Sequence, residues 1–291
     1  MKNILKQRLA DGEVSLCMGL RQSRTVDIGP LVGAAGFDCL YVDMEHSPIG
    51  FETTSAICIT AMAYGVTPLV RVPGHLGQDI SRALDGGAQG VILPHVNTPE
   101  QARDIVSYAK YPPVGHRSVM GAGPATAYKA MPLAKVNEEG NAETMVIIML
   151  ETPEGIANAE AIAAVPGVDM LLIGSNDLCT EMGIPGQLRH PRLLEAYQTV
   201  AKACKQHGIA MGIGGIRGDA ELQTQLIELG ARFLIAGSDT TYLAAAASKG
   251  KYSVSDETLR RTIAAIPAVQ QDGQFSSERY RQVLAAQGMT P

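Results

Sequence analysis

Polar and titratable residues follow several short apolar runs, at spacings that could bring them to one place. Asp43, Glu45 and His46 lie within four positions in "YVDMEHSP". Glu151 ends the run "TMVIIMLE", and Asp177 follows "DMLLIGS" further along the chain. Three roles are open for the first cluster: a solvated loop start, a metal site, or a general base with its partner.

Glu151 and Asp177 suit a hard divalent cation if their strands are neighbours. Adjacent strands lie about 4.8 Å apart, and two carboxylates that close repel each other unless a positive charge lies between them. An all-oxygen pair with room for water and substrate oxygens is typical of Mg²⁺ or Mn²⁺ sites. The alternative is that each carboxylate caps the helix after it, since "ETPE" and "SND" both resemble helix starts. The occurrence of both on successive strands favours the metal.

Arg71 and His46 would complete a site for enolate chemistry. Arg71 is a charge inside the apolar run "PLVRVP", so it must be paired. It either forms an internal salt bridge to Asp43 or Glu45, or holds a substrate carboxylate and stabilises a developing enolate. An imidazole exchanges protons near neutral pH, so His46 suits a general base. A metal, an arginine and this base predict enolate formation from a 2-oxo acid. No lysine ends a strand, which disfavours a Schiff-base aldolase.

These residues must be positioned by an alternation of strands and helices. Several runs are apolar throughout, as expected for strands covered on both faces. Two helices carry clear start signals, in "NTPEQARDIVSYAK" and "ETPEGIANAEAIAAV". Eight strands with intervening helices predict an α/β fold, a (β/α)₈ TIM barrel. The alternative is an open doubly wound sheet, but no GxGxxG follows the first strand. The predicted strands are residues 15–20, 39–45, 68–73, 90–96, 144–151, 169–175, 209–214 and 232–238.

Composition excludes several classes of function. The chain has 291 residues, a net charge of −5, 4% aromatic residues and no tryptophan, which disfavours nucleic-acid binding. No apolar run of 18 residues predicts a membrane span, and the start has no secretory pattern. Five cysteines without a CxxC disfavour a disulfide or zinc framework, and they fit a cytoplasmic location.

Two segments fall outside the regular alternation. Residues 111–143 are rich in Gly, Pro and Ala, and we predict a βα-type insertion that acts as a specificity loop, with Arg117 as the first residue to test. The polar tail, which includes "SDETLRRTIAAIPAV" and "SSERYRQVLAAQ", predicts a helical extension that packs on the barrel or on a neighbouring subunit. The expected domains are a catalytic barrel over residues 1–250 and this extension over residues 251–291.

The quoted motifs resemble a known family. "AGFDCLYVDMEHSP", "PLVRVP", "RALDGGAQGVILPHV", "YPPVGHRSV", "IIMLET", "GVDMLLIGSNDL" and "GSDTTYLAAAA" are similar, in family order, to the HpcH/HpaI family of metal-dependent class II pyruvate aldolases. The family includes 4-hydroxy-2-oxoheptanedioate and 2-dehydro-3-deoxyglucarate aldolases. The resemblance implies a (β/α)₈ barrel with a last helix often swapped between subunits, in a homo-oligomer that is a hexamer built as a trimer of dimers. It also implies reversible retro-aldol cleavage of a 4-hydroxy-2-oxo acid to pyruvate and an aldehyde through a metal-bound pyruvate enolate.

The resemblance also implies roles for individual residues. His46 matches the family's general base, and Arg71 its transition-state stabiliser. Glu151 and Asp177 match the ligands of a divalent metal ion, which is Mg²⁺, Mn²⁺ or Co²⁺. Asp85, in "RALDGG", matches an acid that raises the basicity of the histidine. In an ideal barrel, however, the end of that helix lies at the face opposite the strand ends.

Two positions depart from the family pattern within the expected substrate-binding set. The set comprises Arg71, Met149, Ser175, Asn176 and Asp177. The family usually has Gln where this chain has Met149, and its "GPADL" or "GPSDL" is "GSNDL" here, with Asn176 where the main chain contacts substrate. We expect Asp43 and Glu45 to support Arg71, a metal-bound water or the imidazole.

Other functions remain open at this point. An oxaloacetate decarboxylase, or a synthase similar to macrophomate synthase, would form the same pyruvate enolate by losing CO₂. A citrate-lyase-like enzyme would act on an acyl-CoA ester, but the sequence offers no basic cradle for the nucleotide. A non-catalytic binding barrel would require a degenerate site. The glycines of "GIGG" and "AGSD" could bind a phosphate, or they permit tight turns.

Overall fold

The computed structural model describes residues 2–250, 270–271, 274–275 and 277–286. It contains two compact units, Met1–Thr240 and Thr241–Pro291. All eight predicted strands lie in the first unit. The expected domain boundary at residue 250 stays a prediction.

The first unit is a closed barrel of eight parallel strands in chain order, so the TIM-barrel prediction is confirmed. Each observed strand starts within about two residues of the predicted start, and several end one to three residues before the predicted end. The strands are β1 Ser15–Leu20, β2 Cys39–Asp43, β3 Thr67–Arg71, β4 Gly90–Leu93, β5 Met145–Leu150, β6 Met170–Gly174, β7 Ala210–Gly214 and β8 Ala231–Ser238.

Helices separate the strands and surround the barrel. The two predicted start signals are observed: Thr98 caps α5 in a reciprocal capping box with Gln101, and Thr152 caps α7. The helices are α1 Ile4–Ala10, α2 Ile28–Ala34, α3 Phe51–Ala63, α4 Gly77–Asp85, α5 Pro99–Ala109, α6 Leu133–Glu143, α7 Pro153–Ala157, α8 Ala159–Ala163, α9 Ser175–Glu181, α10 Pro191–His207, α11 Ala220–Leu229 and α12 Asp239–Gly250.

Two apolar layers stabilise the barrel. The larger lies between the strands and the outer helices, and it includes Val70, Ile148 and Tyr197. A second cluster, with Met145 and Phe233 among its members, fills the interior. All five cysteines are buried and free. The filled interior leaves the mouth at the carboxyl ends of the strands for a site.

Residues 111–143 correct the sequence-based interpretation. They follow α5 and precede β5, so the segment is an αβ connection and not a βα insertion. Such a connection leads to the amino-terminal end of the next strand. There the end of α6 is fixed by Asn3, whose main chain donates to Glu143 Oε2 at 2.6 Å and whose side chain donates to the Glu143 carbonyl at 2.8 Å.

The second unit contains the two-stranded antiparallel pair β9 Gln270–Gln271 and β10 Gln274–Phe275, and the helix α13 Ser277–Ala286. α13 confirms the helix predicted in "SSERYRQVLAAQ". The helix predicted in "SDETLRRTIAAIPAV" falls outside the described residues. Within the described part of the chain, no helix combines the length and apolar character needed to cross a bilayer.

Candidate active site

Arg71 is held between two acids at the ends of β2 and β3. Asp43 and Arg71 are register partners across the two strands. Asp43 accepts hydrogen bonds from Nε and Nη2 of Arg71, at 3.0 and 2.7 Å, and is fully buried. Glu45 Oε2 lies 2.9 Å from Nη1 of Arg71, in a charge contact outside hydrogen-bond geometry. Burial opposes ionisation of Asp43, but Arg71 outweighs it and holds the Asp43 pKa below its usual range.

His46 lies at the same strand end, where its imidazole is accessible. Its main-chain N–H donates to Asp43 Oδ1 at 3.2 Å, which fixes the turn after β2. Its Nε2 lies 3.8 Å from Glu45 Oε2, and half of the side chain is exposed. Glu45 is therefore the acid nearest to the imidazole among the described contacts, and its carboxylate also faces Arg71.

His95, which follows β4, bridges two of the carboxylates. Its Nε2 lies 3.3 Å from Glu45 Oε1, and its Nδ1 lies 3.3 Å from Glu151 Oε2. Its main-chain N–H also donates to Glu151 Oε2 at 3.0 Å. His95 has a φ of 53°, in the left-handed region that a non-glycine residue adopts at a cost. The sequence placed His95 at a strand end, but nothing in it indicated this bridge.

Glu151 is a buried carboxylate with incomplete charge compensation. It is 1% exposed. Burial raises its pKa to about 7, and the charges of Asp177 and Glu45 act in the same direction, while His95 opposes them. Gly174 makes room for it, because a Cβ at that position would lie 2.5 Å from Glu151 Oε1. A cation beside Glu151 would favour its ionised form.

The first turn of α9 follows β6 and carries three residues predicted to bind substrate or metal. Asn176 and Asp177 are exposed, and Asp177 lies in the first turn. Ser175 is buried, and its hydroxyl accepts a hydrogen bond from Tyr197 at 2.8 Å. The hydroxyl of Ser175 is therefore bound to a core residue, so Ser175 could contact a ligand only through its main chain.

These residues line a cleft of roughly 470 Å³ at the mouth of the barrel. Its floor includes Met149, whose Sδ lies 3.9 Å from Nη1 of Arg71. Two arginines that sequence analysis did not select also line it: Arg21 after β1 and Arg217 after β7. Glu151 lies behind the cleft surface. The lining includes Arg21, Tyr41, His46, Arg71, Met149, Ser175, Asn176, Asp177 and Arg217.

Asp239, the first residue of α12, fixes the loop after β1. Its carboxylate accepts main-chain hydrogen bonds from Arg21, Gln22 and Ser23, at 3.0, 2.9 and 2.7 Å. Burial opposes ionisation, but these N–H donors lower the pKa of Asp239. Arg21 then reaches Asp43 with its Nε at 2.8 Å. The predicted strand end at residue 238 placed Asp239 at the mouth, but its partners lie too far away in sequence to be predicted.

Asp85 and Arg117 lie away from this group. Asp85 ends α4, and its Oδ1 is 2.6 Å from Nη2 of Arg117. Arg117 is 7% exposed and stacks over Tyr111 at 4.8 Å. Both line a separate cavity of about 700 Å³ beside the 111–143 segment. Within one chain, the structure therefore does not bring Asp85 to His46 or Arg117 to the cleft, because the carboxyl end of α4 and the αβ connection both lie toward the amino-terminal face of the strands.

The sequence and the fold place the chain among known enzymes. Residues 25–246 match the profile of the HpcH/HpaI aldolase/citrate lyase family. The chain belongs to this family. Residues 227–291 also match the profile of the SurA-like N-terminal domain.

Relatives of this family member are named as aldolases. The 4-hydroxy-4-methyl-2-oxoglutarate aldolase of Hapsidospora irregularis is 37% identical over 263 residues, which cover 89% of this chain and 97% of that protein. The hydroxypyruvate/pyruvate aldolase of Sagittula stellata is 35% identical, over 84% of this chain and 95% of that protein. The crystal structure of an HpcH/HpaI aldolase from Desulfitobacterium hafniense has a TM-score of 0.81 and 32% identity, over 85% of this chain and 95% of that one. The predicted family and the prediction of a carbon–carbon lyase are confirmed.

The donor set of this HpcH/HpaI protein could hold a divalent cation through two carboxylates. Among the described residues, no three His, Cys, Asp or Glu side chains form a ready-made metal cage. Mg²⁺ and similar ions need no such cage, since one or two carboxylates with water and substrate oxygens suffice. Glu151 and Asp177 follow paired strands and act electrostatically on each other, and a cation would offset the cost of burying the Glu151 carboxylate. These two residues therefore fit the ion.

Proposed function

We propose that the protein is a metal-dependent class II aldolase that reversibly cleaves a 4-hydroxy-2-oxo acid to pyruvate and an aldehyde or ketone. The observation that carries this proposal is the arrangement at the mouth: an accessible imidazole, a buried guanidinium held by two acids, and the carboxylates of Glu151 and Asp177. The aldolase names of the relatives support the substrate class.

In this mechanism His46 moves the proton. It removes the proton from the C4 hydroxyl, directly or through a water. The C3–C4 bond then breaks, its electron pair passes into the enolate of pyruvate, and C4 leaves as a carbonyl carbon. The proton returns to C3 to complete pyruvate. The accessibility of the imidazole and its contact with Glu45 suit this exchange.

Arg71 stabilises the oxyanion that develops on the 2-oxo group. Its Nε and Nη2 are fixed by Asp43, so the guanidinium is oriented before the substrate arrives. A divalent ion held by Glu151 and Asp177 would supply Lewis-acid polarisation of the 2-oxo acid. The family resemblance and the donor set support Mg²⁺, Mn²⁺ or Co²⁺ for this role.

The test uses purified protein with pyruvate and a panel of aldehydes and 2-oxo acids, and separately with oxaloacetate alone, read by mass spectrometry. We expect aldol products that disappear with EDTA and return with Mg²⁺, Mn²⁺ or Co²⁺. Full activity in the chelated enzyme, with borohydride trapping pyruvate on the protein, would contradict the class II mechanism. Turnover of oxaloacetate without aldol products would favour a decarboxylase instead.

The assembly is a separate part of the proposal. The family resemblance supports a homo-oligomer, specifically a hexamer. Light scattering coupled to size-exclusion chromatography measures this directly, and a monomer at micromolar concentration would contradict it.

A further inference from the structure

The wall of the cleft above β7, β8 and β1 carries two arginines that the proposed cleavage does not use. Arg217 follows β7 and Arg21 follows β1, and both line the cleft. β8 lies between β7 and β1 in the barrel. The acid at the end of β8, Asp239, accepts four main-chain N–H hydrogen bonds, three of them from the loop after β1. This wall therefore presents positive charge.

Two carboxylates beside these arginines, Asp219 in sequence and Asp43 by contact, are already bound by arginine side chains. Asp219, two residues after Arg217, accepts two hydrogen bonds from Arg189, at 2.8 and 2.7 Å. Within residues 2–250, no hydrogen bond or ion pair engages the exposed guanidinium of Arg217. Asp43 accepts from Arg21 through Nε alone, and it also receives the two hydrogen bonds of Arg71. In the same range of residues, the Nη groups of Arg21 have no acceptor.

The arginines of the cleft thus differ in burial and in the number of N–H donors that remain free. Arg71 is buried and held by Asp43 and Glu45. A group that stabilises a charge developing at one atom must be fixed in this way before the reaction. Arg21, with about a third of its side chain exposed, and the exposed Arg217 keep free donors that face solvent. A guanidinium with free paired donors is the side chain that best matches a carboxylate, which it binds through two parallel hydrogen bonds.

We propose that Arg21 and Arg217 form a second carboxylate subsite, which selects substrates whose leaving carbonyl fragment carries its own carboxylate. The inference rests on the proposed aldolase function and specifies its acceptor class. The pyruvate half lies toward Glu151 and Asp177, after β5 and β6. The fragment that begins at C4 lies toward the arginine wall. The substrates are then 4-hydroxy-2-oxo dicarboxylic acids, and the acceptor in the reverse direction is a carbonyl compound bearing a carboxylate.

Two matched substrates test the subsite. 4-Hydroxy-2-oxoglutarate yields pyruvate and glyoxylate, and 4-hydroxy-2-oxopentanoate yields pyruvate and acetaldehyde, so the two differ by a carboxylate in place of a methyl group. We expect the wild-type enzyme to prefer the first. Arg217→Gln and Arg21→Gln should each lower kcat/KM for the dicarboxylate roughly tenfold to a hundredfold, mainly through KM, because a charge-assisted pair is lost. Cleavage of the pentanoate should change little in Arg217→Gln, whereas Arg21→Gln should also slow it, because Arg21 contacts the Asp43 carboxylate that orients Arg71.

Two further variants separate a specific carboxylate subsite from a general effect of charge. Arg217→Lys keeps the positive charge but lacks the paired planar N–H donors of a guanidinium. Its selectivity for the dicarboxylate over the pentanoate should therefore be intermediate. Arg103→Gln, at an exposed position of α5, removes one positive charge outside the cleft and should change neither rate. Equal loss for both substrates in Arg217→Gln, or no loss for either, would overturn the subsite while the aldolase assignment stands. If the wild-type enzyme cleaved neither substrate and exchanged no methyl protons of pyruvate in D₂O, the proposed function itself would fail.

Discussion

Asp43 and Arg71 face each other in register at the ends of β2 and β3, and the whole guanidinium edge of Arg71 is bound by the Asp43 carboxylate. Both side chains are almost completely buried, so water competes only weakly for this pair. The sequence left two roles open for Arg71, an internal salt bridge or contact with substrate. The structure shows the salt bridge, and the same residue lines the cleft.

Removal of Asp43 should destabilise the fold strongly. Asp43→Ala leaves Arg71 as a buried charge with only Glu45 nearby, and breaking such a pair costs about 3 to 5 kcal/mol. Urea unfolding at pH 7 measures the loss. Asp104→Ala, at an exposed position of α5, is the matched control and should change stability by less than about 0.5 kcal/mol. An Asp43→Ala protein as stable as the control would show that the pair makes little net contribution.

His46→Ala should abolish most cleavage without loss of metal. A positioned general base contributes roughly 10²- to 10⁴-fold, so kcat should fall within that range. Isothermal titration with Mn²⁺ should be unchanged, and loss of binding would reassign His46 as a ligand. Oxaloacetate separates the two proton transfers, because its decarboxylation has no hydroxyl proton to remove and needs only a proton at C3. Any oxaloacetate turnover by the wild type should therefore fall less in the variant than aldol cleavage does.

Gly174→Ala should disturb Glu151 specifically. The added Cβ would lie 2.5 Å from Oε1 and 2.6 Å from Cγ of Glu151, which is held from the other side by His95. We expect Mn²⁺ affinity to fall roughly tenfold or more, as for other changes that misorient a ligand. Gly50→Ala is the control, since a Cβ there meets no atom within 4 Å. Unchanged affinity in Gly174→Ala would argue against Glu151 as a ligand.

Asp239→Asn should weaken the protein at neutral pH and less so in acid. The pKa of Asp239 is lowered in the folded state, so its ionised form adds stability above the ordinary carboxyl pKa. That stability is lost as the pH falls through the lowered value, where wild type is protonated too. The difference in unfolding free energy between wild type and variant should therefore shrink from pH 7 toward pH 3. A constant difference would mean that ionisation of Asp239 plays no part.

The sequence predicted the barrel well because its signals are local. Apolar runs such as "TMVIIMLE" and the Thr-Pro helix starts depend on neighbouring residues, and so does the position of each strand end. Once the strands are placed, His46, Arg71, Glu151 and Asp177 come to one mouth by geometry alone. The resemblance added roles to these residues but did not create their proximity.

The missed features depend on contacts between distant parts of the chain. The left-handed backbone of His95 and the loop fixed by Asp239 leave no local pattern that sequence analysis can detect. The 111–143 segment is a simpler case: the sequence predicts α5 correctly, but the βα interpretation puts the insertion on the strand side of that helix. It therefore predicts Arg117 at the wrong end of the barrel.

The hydrogen bonds of Asp239 join residues 216 to 218 positions apart, at the seam where the last strand meets the first. During synthesis on the ribosome, the segment from Arg21 to Ser23 emerges early but lacks these acceptors until nearly the whole barrel has been made. The loop that carries Arg21 is thus among the last parts of the mouth to be ordered. A nascent chain that ends before residue 239 would contain the other residues that line the cleft, but the loop of Arg21 would lack the carboxylate that fixes it.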